Sequence, residues 1–298
     1  MTGIEPRQFD VELRTHRVRV LEWGPEDGPL VVALHGFPDT AWTWRRVALL
    51  LARGGYRVAA PFMRGYAPSG IPSDGDYSVR ALAGDATALH EALNGDARTA
   101  LIGHDWGGIA ASALAGDPAN PYGHVATLAV PPLSLVSPGR KALKPWLSAM
   151  SRQPFRSWYV GFNQVPGLAE SSFDWLAARL WREWSPGYNP ARELARLAES
   201  VPSRAHARAV LSYYRALRGA GARAAMEPPL IPLLYLHGDQ DGCLDPRLFP
   251  LASQRLPEGS RSALLRRAGH FLHLEHPDVV ARYVLDFLQE PRPAIAVA

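Results

Sequence analysis

The sequence is short of cysteine, of lysine and of long apolar runs. Its single cysteine, Cys243, excludes an internal disulfide and a cysteine-built metal cluster, and a lone cysteine of this kind reads as a small buried apolar residue. Only Lys141 and Lys144 are lysines, so the net charge of +4 rests on arginine. Those arginines are scattered (Arg192, Arg196, Arg204, Arg208, Arg215, Arg218), which predicts a solvated surface and no nucleic-acid partner. No apolar run reaches the roughly 18 residues of a membrane helix, and Met1 to Asp10 lacks a signal core. The expectation is a cytoplasmic protein that does not span a membrane and works as a monomer or homodimer.

What is present suits one large core: 298 residues, 47% of them hydrophobic. "FDVELRTHRVRVLEWG" alternates and breaks at Thr15-His16, the pattern of a hairpin. "PLVVALHG", "YRVAAP", "TALIGHD", "VATLAV" and "PLLYLHG" are apolar runs of strand length, suited to parallel strands buried on both faces. Helical patterns cover Trp42–Ala52, Val79–Leu93, Gly107–Leu114 and Pro277–Leu288. This alternation predicts an α/β fold with a mostly parallel central sheet flanked by helices. From about Leu133 to Ala225 the rhythm stops, and the chain becomes rich in Trp, Arg and Ser. The predicted organisation is a core over 1–132, a helical lid insertion over 133–225, and the rest of the core over 226–298. The tail "PRPAIAVA" should be frayed.

Within this layout, "GHDWGG" places Asp105 between a strand run and a helix pattern. Gly103-His104-Asp105-Trp106-Gly107 fits the G-x-Nu-x-G nucleophile elbow, with Asp where Ser is more familiar. The turn is too tight for side chains on its flanks. The bland alternative is an Asp that only caps the following helix. A triad then needs an acid and a histidine, in that order, after later strands. "YLHGDQDGCLDP" offers Asp239, Asp241 and Asp245, and "RRAGHFLHLEHP" offers His270, His273 and His276. Asp241 and His270 are the selected pair. Asp239 remains the competitor for the acid, and His273 and His276 read as structural. These histidines do not suit a zinc site, since no further ligand cluster has the right spacing, and no cofactor is expected. "LHGFPDT" ends a strand run in a loop whose Phe37 N–H can join that of Trp106 to form an oxyanion hole.

Taken together, "HGFPDTAWTWR", "RGYAPSG", "GHDWGG", "GDQD" and "GHFLHLEHP" come in the order found in the α/β-hydrolase superfamily, and the chain most resembles its soluble-type epoxide hydrolases. One departure is Phe62, where relatives carry Asp two positions before the arginine. An Asp nucleophile suits displacement at an sp³ carbon, forming an alkyl ester that water then hydrolyses. His270, oriented by Asp241, would activate that water. The resemblance implies an apolar epoxide as substrate and two lid tyrosines that donate to its oxygen. "WYVGFNQVPGLAE" puts Tyr159 at the first position, and "LSYYRALR" puts Tyr214 at the second, with Tyr213 beside it. The resemblance also leaves a haloalkane dehalogenase open. There Trp106 would hold halide with a second donor, a role Phe37 cannot fill and a lid tryptophan (Trp158, Trp175, Trp181 or Trp184) could. The lid tryptophans otherwise read as core, and Trp106 as either pocket wall or packing. A non-catalytic small-molecule binder on the same fold is the third reading.

Overall fold

The computed structural model describes residues 5–136, 143–217 and 223–290; the tail from Pro291 and the residues Lys141 and Arg218 lie outside them. Eight strands form one sheet: β1 (Arg7–Glu12), β2 (Arg17–Trp23), β3 (Leu30–Leu34), β4 (Arg57–Pro61), β5 (Ala100–His104), β6 (His124–Leu128), β7 (Leu233–Gly238) and β8 (Arg261–Leu265). Their order is β1-β2-β4-β3-β5-β6-β7-β8. The predicted hairpin is β1–β2, which pairs antiparallel, as β2 does with β4; every later pairing is parallel. Every residue of β3, β5 and β7 is buried, which is why these strands show as unbroken apolar runs. The edge strand β8 exposes Arg261, Ser262 and Leu264, so it carries no such run.

Helices α1 (Arg45–Arg53), α2 (Val79–Ala92) and α3 (Trp106–Ala115) lie between the early strands. A 3₁₀ turn over Ala41–Trp44 takes the start of the first predicted helix. Ser78 caps α2 by accepting the Ala81 N–H. Between β6 and β7 the described residues form helices and no strand: α4 (Leu143–Met150), α5 (Gln153–Arg156), α6 (Trp158–Phe162), α7 (Leu168–Ser171), α8 (Phe173–Trp184), α9 (Ala191–Ser200) and α10 (Arg204–Arg215). After β7 come α11 (Phe249–Ser253), β8, α12 (Leu272–Glu275) and α13 (Pro277–Leu288). No helix among the described residues is long and apolar enough to cross a membrane.

Two expectations about this segment need correction. On α8 the buried stripe is Phe173, Leu176, Ala177, Leu180, Trp181 and Trp184, a helical repeat that leaves Trp175 off the stripe and exposed. Trp175 is therefore not core; the Arg179 guanidinium lies over it and over Trp158. Arg215 is not a freely solvated cation either. It pairs with the buried Glu170 at 2.7 Å and donates to the Asn163 carbonyl at 2.9 Å, tying α10 to the chain after α6. At the departure from the family pattern, Phe62 packs into the core, and Arg64 takes a two-pronged bond to Asp85 of α2 instead.

The end of α8 is fastened to the sheet. The Trp184 carbonyl accepts the N–H of His270 at 2.9 Å and of Gly242 at 3.2 Å. Ser185 Oγ accepts the Phe271 N–H at 3.0 Å and donates to Glu275 at 2.7 Å. A Cβ on Gly242 would collide with the Glu183 carbonyl, and one on Gly269 with Ser185.

Candidate active site

Asp105 occupies the turn from β5 into α3 with φ 51° and ψ −116°, outside the ordinary allowed regions for a non-glycine residue. Such a residue persists only where its surroundings hold it, typically at about 1–3 kcal/mol. The glycines on either side make the turn possible. A Cβ on Gly103 would overlap the Gly107 carbonyl, one on Gly107 would overlap the Leu34 carbonyl, and one on Gly36 would strike Asp105 itself. The carboxylate emerges at the carboxyl end of β5, where the field of the α3 N-terminus favours an anion. Asp105 makes no cap bond to that helix, so its carboxylate is spent elsewhere.

Its two oxygens are held differently. Oδ1 accepts the Phe37 N–H at 2.7 Å, while Oδ2 faces His270 Nε2 at 3.4 Å. The loop that carries Phe37 is set by His35, whose Nδ1–H donates to the Gly36 carbonyl and whose Nε2 accepts the Met63 N–H, both at 3.0 Å. Trp106 begins α3, so its N–H has no carbonyl within the helix to meet.

Behind the imidazole, His270 Nδ1–H donates to Asp241 Oδ2 at 2.9 Å. Asp241 Oδ1 accepts the N–H groups of Cys243 and Leu244, which orients the carboxylate. The backbone of His270 is clamped on both sides, its N–H by the Trp184 carbonyl and its carbonyl by His104 Nε2–H at 3.0 Å. Burial opposes charge on each of these groups, but the charges oppose burial more strongly. Asp241 and then Asp105 raise His270 to about 10. The bond and charge of His270 lower both Asp105 and Asp241. The resting arrangement is an imidazolium between two carboxylates, and it depends on both anions. In Asp105→Asn the His270 proton affinity should therefore fall by about tenfold to a thousandfold. Titration of the imidazole by NMR checks this; an unchanged midpoint would detach Asp105 from His270.

Two tyrosines close the site from the helical segment. Tyr214 packs edge-on against Phe37, Trp106 and Tyr159, with ring centroids 5.1 Å, 5.1 Å and 5.4 Å away. Its hydroxyl is buried and, among the described residues, neither accepts a hydrogen bond from the backbone nor donates one. The Tyr159 hydroxyl lies 3.4 Å from Cys243 Sγ. Burial, with the charge of Asp105 adding to it, pushes both phenols well above their usual range, so both stay neutral donors. Gln164 joins the two helices by donating to the Tyr214 and Val160 carbonyls. The family model for the α/β-hydrolase fold matches residues 29–277.

The chain belongs to the α/β-hydrolase fold family.

Among its α/β-hydrolase relatives, Epoxide hydrolase 3 of Xenopus tropicalis is 30% identical, with 95% of this chain and 77% of the relative aligned. Epoxide hydrolase A of Mycobacterium tuberculosis is 28% identical over 95% of this chain and 97% of its own. The crystal structure of Epoxide Hydrolase A from Mycobacterium thermoresistibile superposes with a TM-score of 0.70 at 26% identity, covering 95% and 98% of the two chains.

Against this α/β-hydrolase frame, the residues selected from sequence converge. Asp105, His270, Asp241, Phe37, Trp106, Tyr159 and Tyr214 meet at one end of the sheet. The competitors do not reach it. Asp239 accepts the Arg267 N–H at 2.6 Å, and Asp245 is paired with Arg247. His276 donates to the Arg267 carbonyl, and His273 is bonded to Thr43 and stacked on Trp44. Tyr213 spends its hydroxyl on the Arg64 carbonyl at 2.8 Å. Of the lid tryptophans, Trp181 donates to the Pro38 carbonyl and Trp158 to Glu183. Trp184 Nε1 is buried without a partner among the described residues, and its ring stands 4.9 Å from that of His270.

Three contributors escaped the sequence reading. His104 was quoted within its motif but given no task. A lone Cys243 carries no signal beyond burial, and nothing in the sequence separates Trp184 from the three other tryptophans of its segment. The signal for His104 was a polar residue at the buried end of a strand, where it must find a partner.

Proposed function

We propose that the protein hydrolyses epoxides to vicinal diols through a covalent ester on Asp105. The observation that carries this reading is the Tyr214 hydroxyl, buried beside Tyr159 and near the Asp105 carboxylate, whose proton has no acceptor among the described residues. A buried hydroxyl left without a partner is unfavourable unless something else accepts its proton. An epoxide oxygen is that acceptor. The relatives named as epoxide hydrolases support the same reading.

Oδ2 of Asp105 attacks a ring carbon as that C–O bond breaks. The departing oxygen takes a proton from Tyr159 or Tyr214. Oδ1 stays on the Phe37 N–H, with the Trp106 N–H beside it, where negative charge develops in the second step. Forming the ester removes the Asp105 charge, so His270 loses one of the two anions that hold its proton. The imidazole then yields that proton, which restores the tyrosine, and becomes a base. Water attacks the Asp105 carbonyl carbon and gives its proton to His270 Nε2. The acyl C–O bond breaks, the departing oxygen takes the second proton of the attacking water, and the diol leaves with an oxygen that began on Asp105. The helices over 133–225 act as the lid, between two stretches of α/β core at 1–132 and 226–298. A halide-displacing reading would rest on Trp106 and Trp184 as donors.

With enzyme in excess over styrene oxide in heavy-oxygen water, the first diol should contain no solvent oxygen, and the label should appear on Asp105. Labelled diol in that first turnover would mean direct attack by water. Binding without any diol would support the receptor reading, and halide release from haloalkanes would support the dehalogenase.

A further inference from the structure

Cys243 lies in the loop after β7, two residues beyond Asp241, with its side chain buried. One ligating atom from each of Cys243, Asp105 and His270 fits within a span of 4.8 Å. On His270 that atom is Nε2, which is buried and faces Asp105 Oδ2 at 3.4 Å, Nδ1 being given to Asp241. A sulfur, an imidazole nitrogen and a carboxylate oxygen are the ligand set of a borderline-soft divalent cation. Tetrahedral zinc, with bonds of about 2.0–2.3 Å, needs ligand atoms roughly 3.3–3.8 Å apart, so side-chain shifts on the order of 1 Å close the site. Asp241 behind the ring supplies the carboxylate–histidine pairing that typically orients a metal-bound imidazole.

We propose that Cys243, His270 and Asp105 form a binding site for a thiophilic divalent cation, zinc being the representative, that shuts off the enzyme by occupying the path to Asp105. The binding itself is independent of the reaction; only the inhibition rests on the roles proposed above for Asp105 and His270. No oxidation is involved. The sulfur lone pair goes to the metal, the imidazole gives its Nε2 lone pair, and the displaced protons pass to solvent. Cys243 sets the selectivity, because magnesium and calcium prefer oxygen ligands throughout.

Equilibrium dialysis of the full chain against zinc chloride should give one tight equivalent. Cys243→Ser and Cys243→Ala should each weaken it by tenfold or more, and magnesium should not compete. Zinc should also inhibit styrene oxide hydrolysis reversibly, with EDTA restoring the rate. Each variant, compared with its own metal-free rate, should need at least tenfold more zinc. Equal zinc affinity in the wild type and both variants would overturn the site. Tight, Cys243-dependent binding with full turnover would overturn the inhibition. If the protein turned over no epoxide at all, dialysis alone would still decide whether the site exists.

Discussion

Incubated with styrene oxide, the His270→Gln variant is expected to appear in an intact-protein mass spectrum heavier by one whole substrate. The two half-reactions ask different things of His270. Attack by Asp105 Oδ2 asks for an ionised carboxylate and a lid tyrosine but no base, and the Phe37 N–H and the α3 N-terminus still favour that anion in the variant. Ester hydrolysis needs a base within reach of a water next to the carbonyl carbon, and His270 Nε2, 3.4 Å from Oδ2, is so placed. Gln can fill much of the space but cannot take a proton at this pH. Loss of general-base help lowers hydrolysis by about 10²–10⁴-fold, while alkylation continues. The ester should therefore accumulate, and peptide mapping should place it on Asp105. Lost turnover with no mass shift would sink the two-step scheme.

The double change of Tyr159→Phe and Tyr214→Phe should reduce epoxide opening by about 10⁴-fold or more, since each donor of this kind contributes about 10²–10³. The leaving oxygen stays tethered to the substrate and departs as a strongly basic alkoxide unless it is protonated as the bond breaks. The two neutral phenols are the donors proposed for it. A rapid-quench measurement of alkylation on the double variant isolates this step from hydrolysis. Tyr213→Phe is the matched control. Its hydroxyl serves the Arg64 carbonyl, so alkylation should hold while stability falls by about 1 kcal/mol. Epoxide opening that survives the double change would remove both tyrosines from the chemistry.

The buried strands were legible because a strand covered on both faces has to be apolar throughout, as β3, β5 and β7 are. Edge strand β8 was not, since three of its five residues meet water. The elbow was legible because its glycines answer a local steric demand, one that the contacts at Gly103 and Gly107 meet. Asp241 could not be told from Asp239 by position: both follow β7, and only the direction in which the loop turns brings one to His270. Tyr213 and Tyr214 pose the same difficulty on α10. Neighbours on a helix point about 100° apart, so which one faces the carboxylate depends on how α10 is rolled against the core. Trp175 was misjudged for the same reason on α8. Cys243 was correctly read as buried, but burial alone does not say what the sulfur looks toward.

The carbonyl of Trp184 holds His270 and Gly242 at once, and Ser185 fastens the next stretch of backbone. One end of the cover is thus part of the floor. Grafting a foreign cover from another hydrolase onto this core should succeed only if residues 183–185 are retained as the splice, because an exchange through them would misplace the imidazole before any substrate was tried. Variation sought by directed evolution is better spent on the exposed face of α4, around Leu143 and Leu147, which carries none of the site residues and leaves that seam intact.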